Sequence, residues 1–169
     1  FAHKMIDNGF EILGTGEMGI GNTTTSSAVM HALTGEKAEI VVGRGAGLDN
    51  EGLNRKIFVV EDGVKRRNPD PKDPVDVLAK VGGLDIAGMT GLFLGAASRR
   101  KPVLVDGFIS SAAALAAIRI NKHVKEYMFA THLSEEPGAK IFVKETGLEP
   151  FLNMNMRLGE GTGCALAFN

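Results

Sequence analysis

The stretch Gly16-Glu17-Met18-Gly19-Ile20-Gly21-Asn22-Thr23-Thr24-Thr25-Ser26-Ser27 stands between an apolar run and a helical pattern, and it constrains this chain more than any other. Residues 10–13 read as a short buried strand and residues 28–33 as helix, so the glycines form a strand-to-helix turn. Glycine at 19 and 21 lets backbone N–H groups approach an anion with no Cβ in the way. The helix N-terminus adds the positive end of a dipole. Asn22 is the expected N-cap. The spacing Gly16-x-x-Gly19-x-Gly21 matches neither the dinucleotide fingerprint nor the P-loop, since no Lys-Ser/Thr follows the last glycine.

A chain of 169 residues, 44% hydrophobic, can bury one sizeable core and fits a single domain over residues 1–169. Its 19 basic and 20 acidic residues balance, which leaves no electrostatic footprint for nucleic acid or an anionic membrane and points to small ligands. No apolar run approaches the roughly 18 residues of a membrane span, and no signal peptide is visible. The single cysteine, Cys164, cannot form an intrachain disulfide; this suits a reducing compartment, and a cytoplasmic location is expected. The chain opens at Phe1 and closes just after the apolar Cys164-Ala165-Leu166-Ala167, which reads as a piece of a longer protein.

Along the chain, helical and extended patterns alternate. Residues 2–8 read as a helix stopped by Gly9, and Gly35 stops the helix after the first turn. Residues 38–42 read as a strand running into Gly43-Arg44-Gly45-Ala46-Gly47, a second glycine turn that is either a ligand loop or a flexible connector. Asp49 or Asn50 caps a helix with Leu53, Ile57, Val60 and Val64 on one stripe, from which Lys56 can reach an anion held at that turn. Asp73 caps the next helix, with Pro74 at its first position, and Gly82-Gly83 ends it.

Residues 84–98 form a helix whose Ala87, Gly88, Gly91, Gly95 and Ala96 favour close packing over ligand contact. Residues 102–105 form a buried parallel strand, with Asp106 at its carboxyl end as either a ligand contact or a cap, before a helix over 110–120. A further strand over 127–130 places His132 at its end, as either a general base or a hydrogen-bonding bystander. Residues 135–144 read as a helix and the alternating 151–156 as a last strand. The third glycine turn, Arg157-Leu158-Gly159-Glu160-Gly161-Thr162-Gly163, then opens a helix. The alternation predicts an α/β fold, a three-layer doubly wound and mainly parallel sheet with helices on both faces.

Three glycine turns near helix starts suggest a shared pocket for a phosphorylated ligand. Two of them carry a glutamate, Glu17 and Glu160, which repels phosphate. Each is either a general base or partner of a cationic centre, or a complement to its helix dipole.

Taken together, residues 16–24, the second turn with Leu48-Asp49, Asp106-Gly107-Phe108-Ile109 and residues 157–163 resemble the successive signatures of the nicotinate-nucleotide:dimethylbenzimidazole phosphoribosyltransferase family. The resemblance runs in order across essentially the whole chain and corresponds to the C-terminal half of family members about twice this length. It implies a doubly wound parallel sheet, a homodimer and no cofactor or metal. The implied reaction moves ribose phosphate from nicotinate mononucleotide to dimethylbenzimidazole, giving α-ribazole phosphate for the lower ligand of cobalamin. It maps the general base onto Glu160, with Glu17 beside it, and substrate contacts onto Gly19, Asn22, Thr23, Gly45, Lys56, Asp106, Ser134, Leu158 and Gly159. Residues that hold the incoming base come largely from the other half of such proteins.

The implied chemistry suits these residue types. Nicotinate leaves from a pyridinium already activated by its positive charge. The incoming benzimidazole loses its N–H proton as its other nitrogen attacks the anomeric carbon, and a carboxylate at Glu160 can take that proton. Attack from the opposite face inverts a β-nucleotide to an α-nucleotide, while Glu17 stabilises positive charge developing on the ribose. Two other readings stay open: a non-catalytic mononucleotide-binding module, and the same transfer to adenine or a phenolic base.

Overall fold

The computed structural model describes residues 1–156 and 159–168. Three short parallel strands, β1 (Leu13–Gly14), β2 (Val103–Val105) and β3 (Met128–Ala130), pair in the order β1-β2-β3. Leu13 pairs with Val103, and Val103 with Met128. Val103 and Val105 are fully buried, as expected of an apolar run in a parallel sheet covered by helices. The α/β expectation with a parallel sheet is met.

Nine helices surround the sheet among the described residues: α1 (Ala2–Asp7), α2 (Thr23–Thr34), α3 (Ala38–Val41), α4 (Asn50–Arg67), α5 (Pro74–Val81), α6 (Leu84–Ser98), α7 (Phe108–Ile120), α8 (Pro137–Thr146) and α9 (Thr162–Ala167). A 3₁₀ segment, Lys122–Tyr127, leads into β3. Helix α7 is buried from Phe108 to Ala117, and its alanines let α2 and α6 approach closely. Val29, Met30, Ile86, Phe93, Leu115 and Phe142 fill the core between the helices.

Local signals place the helix ends. Asp49 Oδ1 accepts the Gly52 N–H at 2.8 Å, and Asp73 Oδ1 accepts those of Val75 and Asp76 at 3.0 and 3.2 Å, with Pro74 first in its helix. Gly35 closes α2 in the left-handed conformation at φ 71°.

Several extended readings change. Residues 38–42 contain a helical turn, α3, because Ala38 and Val41, three apart, both face the core. Residues 10–13 contribute only Leu13 to β1, since Phe10 faces solvent. Residues 151–156 make only an isolated parallel bridge, Leu152 to His132; Phe151 and Met154 are exposed and give the segment no face to bury. The small residues of α6 divide. A Cβ on Gly95 would stand 2.8 Å from the Ala2 Cβ, where α1 packs, whereas Gly88 and Gly91 open onto a groove shared with Phe1, Leu84 and Leu92.

Candidate active site

Parallel strands bring their carboxyl ends to one side, and the loops leaving those ends build a cleft there. Its walls include Glu17, Gly19 and Thr23 from the first glycine turn, Gly45 from the second, Asp106 after β2, His132 and Ser134 after β3, and Gly159 and Glu160 from the third. Most of the residues expected at the site, both glutamates among them, thus share one cavity. Arg157 and Leu158 lie outside the described residues.

The first and third turns meet through their backbones. A Cβ on Gly16 would stand 2.8 Å from the Gly161 Cα, so only glycine fits there. The third turn is anchored from below by Asp106, whose Oδ2 accepts the Gly161 N–H at 2.9 Å and whose Oδ1 accepts the Cys164 N–H at 3.3 Å. Asp106 therefore caps a helix, but the distant α9 rather than the one that follows it in sequence. Between these contacts Glu160 is exposed, with its backbone in the left-handed region at φ 48°. Non-glycine residues adopt that conformation at a cost, which the anchoring on both sides sustains.

Glu17 is oriented rather than free. Its Oε2 accepts the Gly19 N–H and the Asn22 Nδ2–H, both at 2.5 Å. Asn22 also donates to Asp85 Oδ2 at 2.7 Å. Asn22 precedes α2 as expected, but its side chain makes no capping bond: its amide NH₂ is drawn to two carboxylates, and Oδ1 is left buried without a partner among the described residues. It stands behind Glu17 instead of lining the cleft.

Lys56, on α4, stands behind the Thr23 and Gly45 wall of the cleft. Its Nζ donates to Thr23 Oγ1 and to the Gly43 carbonyl, each at 2.9 Å. Burial pushes the ammonium below its ordinary pKa, and the nearby Glu136 carboxylate opposes that shift. Glu136, preceding α8, accepts the Gly45 N–H on Oε1 at 2.8 Å. Its Oε2 is buried without a hydrogen-bond partner among the described residues. Glu136 is absent from the residues expected at the site; its place two residues after Ser134, beyond a strand's carboxyl end, is the signal that points to it.

His132 is buried, with Nδ1 3.2 Å from Thr131 Oγ1 and 3.7 Å from Asp106 Oδ1. Burial lowers its pKa, opposed by the Asp106 charge. Cys164 is packed against Leu104; burial, then Asp106, pushes its thiol up to about 12, which makes it an inert core residue.

The arrangement offers a cation, a helix N-terminus, hydroxyls and the Glu136 carboxylate at one end and the carboxylates of Glu17 and Glu160 at the other, a fit to a phosphorylated ligand with a reacting centre beyond its phosphate once Lys56 offsets Glu136. Comparison with known proteins points the same way. A family profile described as "Phosphoribosyltransferase" matches residues 1–169. A nicotinate-nucleotide–dimethylbenzimidazole phosphoribosyltransferase from Acetivibrio thermocellus is 58% identical over 161 residues, covering 95% of this chain and 46% of the relative. One of the same name from Clostridium acetobutylicum is 55% identical over 165 residues, covering 98% and 47%. The crystal structure of CobT from Thermus thermophilus superposes with a TM-score of 0.93 at 40% identity, over 98% of this chain and 50% of that one. The chain spans about half the length of the curated relatives it matches.

Proposed function

Because this chain belongs to the nicotinate-nucleotide–dimethylbenzimidazole phosphoribosyltransferase family, we propose that it forms the catalytic core of a longer enzyme. That enzyme transfers the phosphoribosyl group of nicotinate mononucleotide to dimethylbenzimidazole, releasing nicotinate and α-ribazole phosphate. The observation that carries this reading is the meeting of the first and third turns, which sets Glu17 and Glu160 on one cleft with Thr23, Gly45 and Ser134.

In this reading Lys56, Thr23, Gly45 and Ser134 hold the phosphate, the Gly45 N–H turning from Glu136 Oε1 to the ligand on binding. Lys56 supplies the charge, and the N-terminus of α2 adds a dipole. Glu160 takes the benzimidazole N–H proton as the other ring nitrogen attacks the anomeric carbon and the C–N bond to nicotinate breaks. Glu17, held by Gly19 and Asn22, faces the positive charge that develops on the ribose. A positioned base contributes ~10²–10⁴-fold in rate, and orientation supplies much of the remainder.

The test uses the full-length parent protein. Nicotinate release from nicotinate mononucleotide and dimethylbenzimidazole is expected, with a Glu160→Gln loss of ~10²–10⁴-fold. No release, or an undiminished variant, overturns the reading. Tight mononucleotide binding without turnover identifies a binding module instead, and a panel of acceptors including adenine and phenols defines the base.

The homodimer and the cytoplasmic location belong to the same proposal. Phe1, Leu84 and Phe58, each more than half exposed, supply apolar surface for a second copy or for the remainder of a longer chain. Sedimentation of the full-length protein separates these, and cell fractionation checks the location.

A further inference from the structure

Thr131 Oγ1 donates its one hydrogen to the Val105 carbonyl at 3.0 Å. The same oxygen lies 3.2 Å from His132 Nδ1. A hydroxyl has one hydrogen and two lone pairs, so in this second contact the hydrogen belongs to the ring. His132 therefore carries its proton on Nδ1, a tautomer that the Asp106 carboxylate also favours, and leaves Nε2 as a bare acceptor.

Nε2 faces the cleft between two backbones with no side chains. Cβ atoms built on Gly107 and Gly159 would stand 3.6 and 3.5 Å from it. Among the described residues it makes no hydrogen bond. The segment is extended here: Leu152 N–H donates to the Thr131 carbonyl at 2.8 Å, and Leu133 N–H to the Leu152 carbonyl at 3.4 Å. Residues 132 and 134 consequently share a face, about 6.6 Å apart, and both line the cleft.

Ser134 Oγ accepts the Glu136 N–H at 3.3 Å and Glu136 Oε1 accepts the Gly45 N–H at 2.8 Å, which ties Ser134 to the proposed phosphate end, while Gly159, beside Glu160 in the chain, stands against the His132 ring. His132 thus stands level with the sugar that joins them. A bare acceptor repels phosphate and carboxylate oxygens and takes an O–H donor. Building on the phosphoribosyl reading, we propose that His132 Nε2 accepts a hydrogen bond from a ribose hydroxyl of the donor nucleotide, and so selects ribonucleotides over deoxyribonucleotides.

The experiment compares nicotinate mononucleotide with its 2′-deoxy and 3′-deoxy analogues, in full-length wild-type protein and in His132→Ala and His132→Gln. Gln can place an amide oxygen where Nε2 stands. Wild type is expected to prefer the ribonucleotide over one deoxy analogue on the order of 10–100-fold in kcat/KM, since a site built around a substrate hydroxyl is left unpaired by the analogue. His132→Ala loses that preference by falling only on the ribonucleotide, and His132→Gln retains most of it.

Equal losses on all three nucleotides, or a preference that persists in His132→Ala, overturn the proposal. So does an effect that depends instead on the N–H of the acceptor base, read by comparing benzimidazole with its N-methyl derivative. If His132→Ala does not fold, wild type decides alone: no ribose preference overturns the role. Calorimetric binding reads the same preference without turnover. A wild type that binds but releases no nicotinate therefore sinks the phosphoribosyl reading, while the binding preference still decides the part played by His132.

Discussion

Gly16 and Gly161, from opposite ends of the chain, touch backbone to backbone: a Cβ on Gly16 would meet the Gly161 Cα at 2.8 Å. The turn that carries Glu17 and the turn that carries Glu160 are thus registered on each other without any intervening side chain. Gly16→Ala must push the third turn outward. Overpacking of this kind costs roughly 1–3 kcal/mol, and an ångström of misplacement can cost about 10²-fold in rate. The full-length variant is expected to lose at least ~10-fold in kcat while melting only a few degrees lower. An unchanged kcat would show that the contact is not needed for catalysis.

Asp106 holds the same turn by two backbone N–H groups, from Gly161 and Cys164. Asp106→Asn offers one oxygen and turns an amide NH₂ toward the other donor, leaving a buried N–H unsatisfied. Steady-state kinetics of the full-length variant should show kcat falling ~10–100-fold with KM for the nucleotide little changed, because the residue acts through Glu160. A rise in KM alone would mean that Asp106 chiefly contacts substrate.

Lys56 is buried between Thr23 and the Gly43 carbonyl with its pKa held down by burial. Lys56→Met is expected to weaken nicotinate mononucleotide binding at least ~10-fold by calorimetry, and to lower thermal stability at neutral pH because the Gly43 carbonyl and the Glu136 charge lose their buried partner. The sign with pH is defined. Between the lowered folded value and the ordinary 10.5, the unfolded chain binds the proton that the folded chain has lost, so wild type gains stability relative to the variant as pH rises through that window.

His132 gives the corresponding acid effect. Below its ordinary pKa of 6.5 the unfolded chain takes up a proton that the buried ring refuses, so stability falls as pH drops from 6.5 to the lowered folded value and then levels. Asp106 faces the ring from the end of β2 and limits the effect, with Cys164 of α9 below it and Glu160 in the turn above. Denaturant titrations over this range should show the acid loss in wild type and its absence in His132→Gln. Parallel curves for the two proteins would assign the loss to other groups.

Much of the fold was legible because its signals are short-range. Asp49, Asp73, Pro74 and Gly35 act on groups within a few residues, so caps and stops could be read directly. The span of α6 was legible as well, its start marked by Gly82-Gly83. Residues 38–42 misled because a short apolar run has no periodicity to separate strand from helix, and burial of Ala38 and Val41 decided it.

By itself the sequence determined the alternation of helices with the central strands, the three glycine turns, and the residue types fit for a phosphate and a proton transfer. Each of those signals is local. The tertiary structure alone decided which donors and acceptors meet. Gly45 N–H goes to Glu136, Gly161 N–H goes to Asp106, Asn22 supports Glu17 instead of capping α2, and Thr131 sets the tautomer of His132. Two of these choices, at Gly45 and Gly161, join groups that lie far apart along the chain, and a hydrogen bond is settled by which partners come within about 3 Å, a distance that only folding creates.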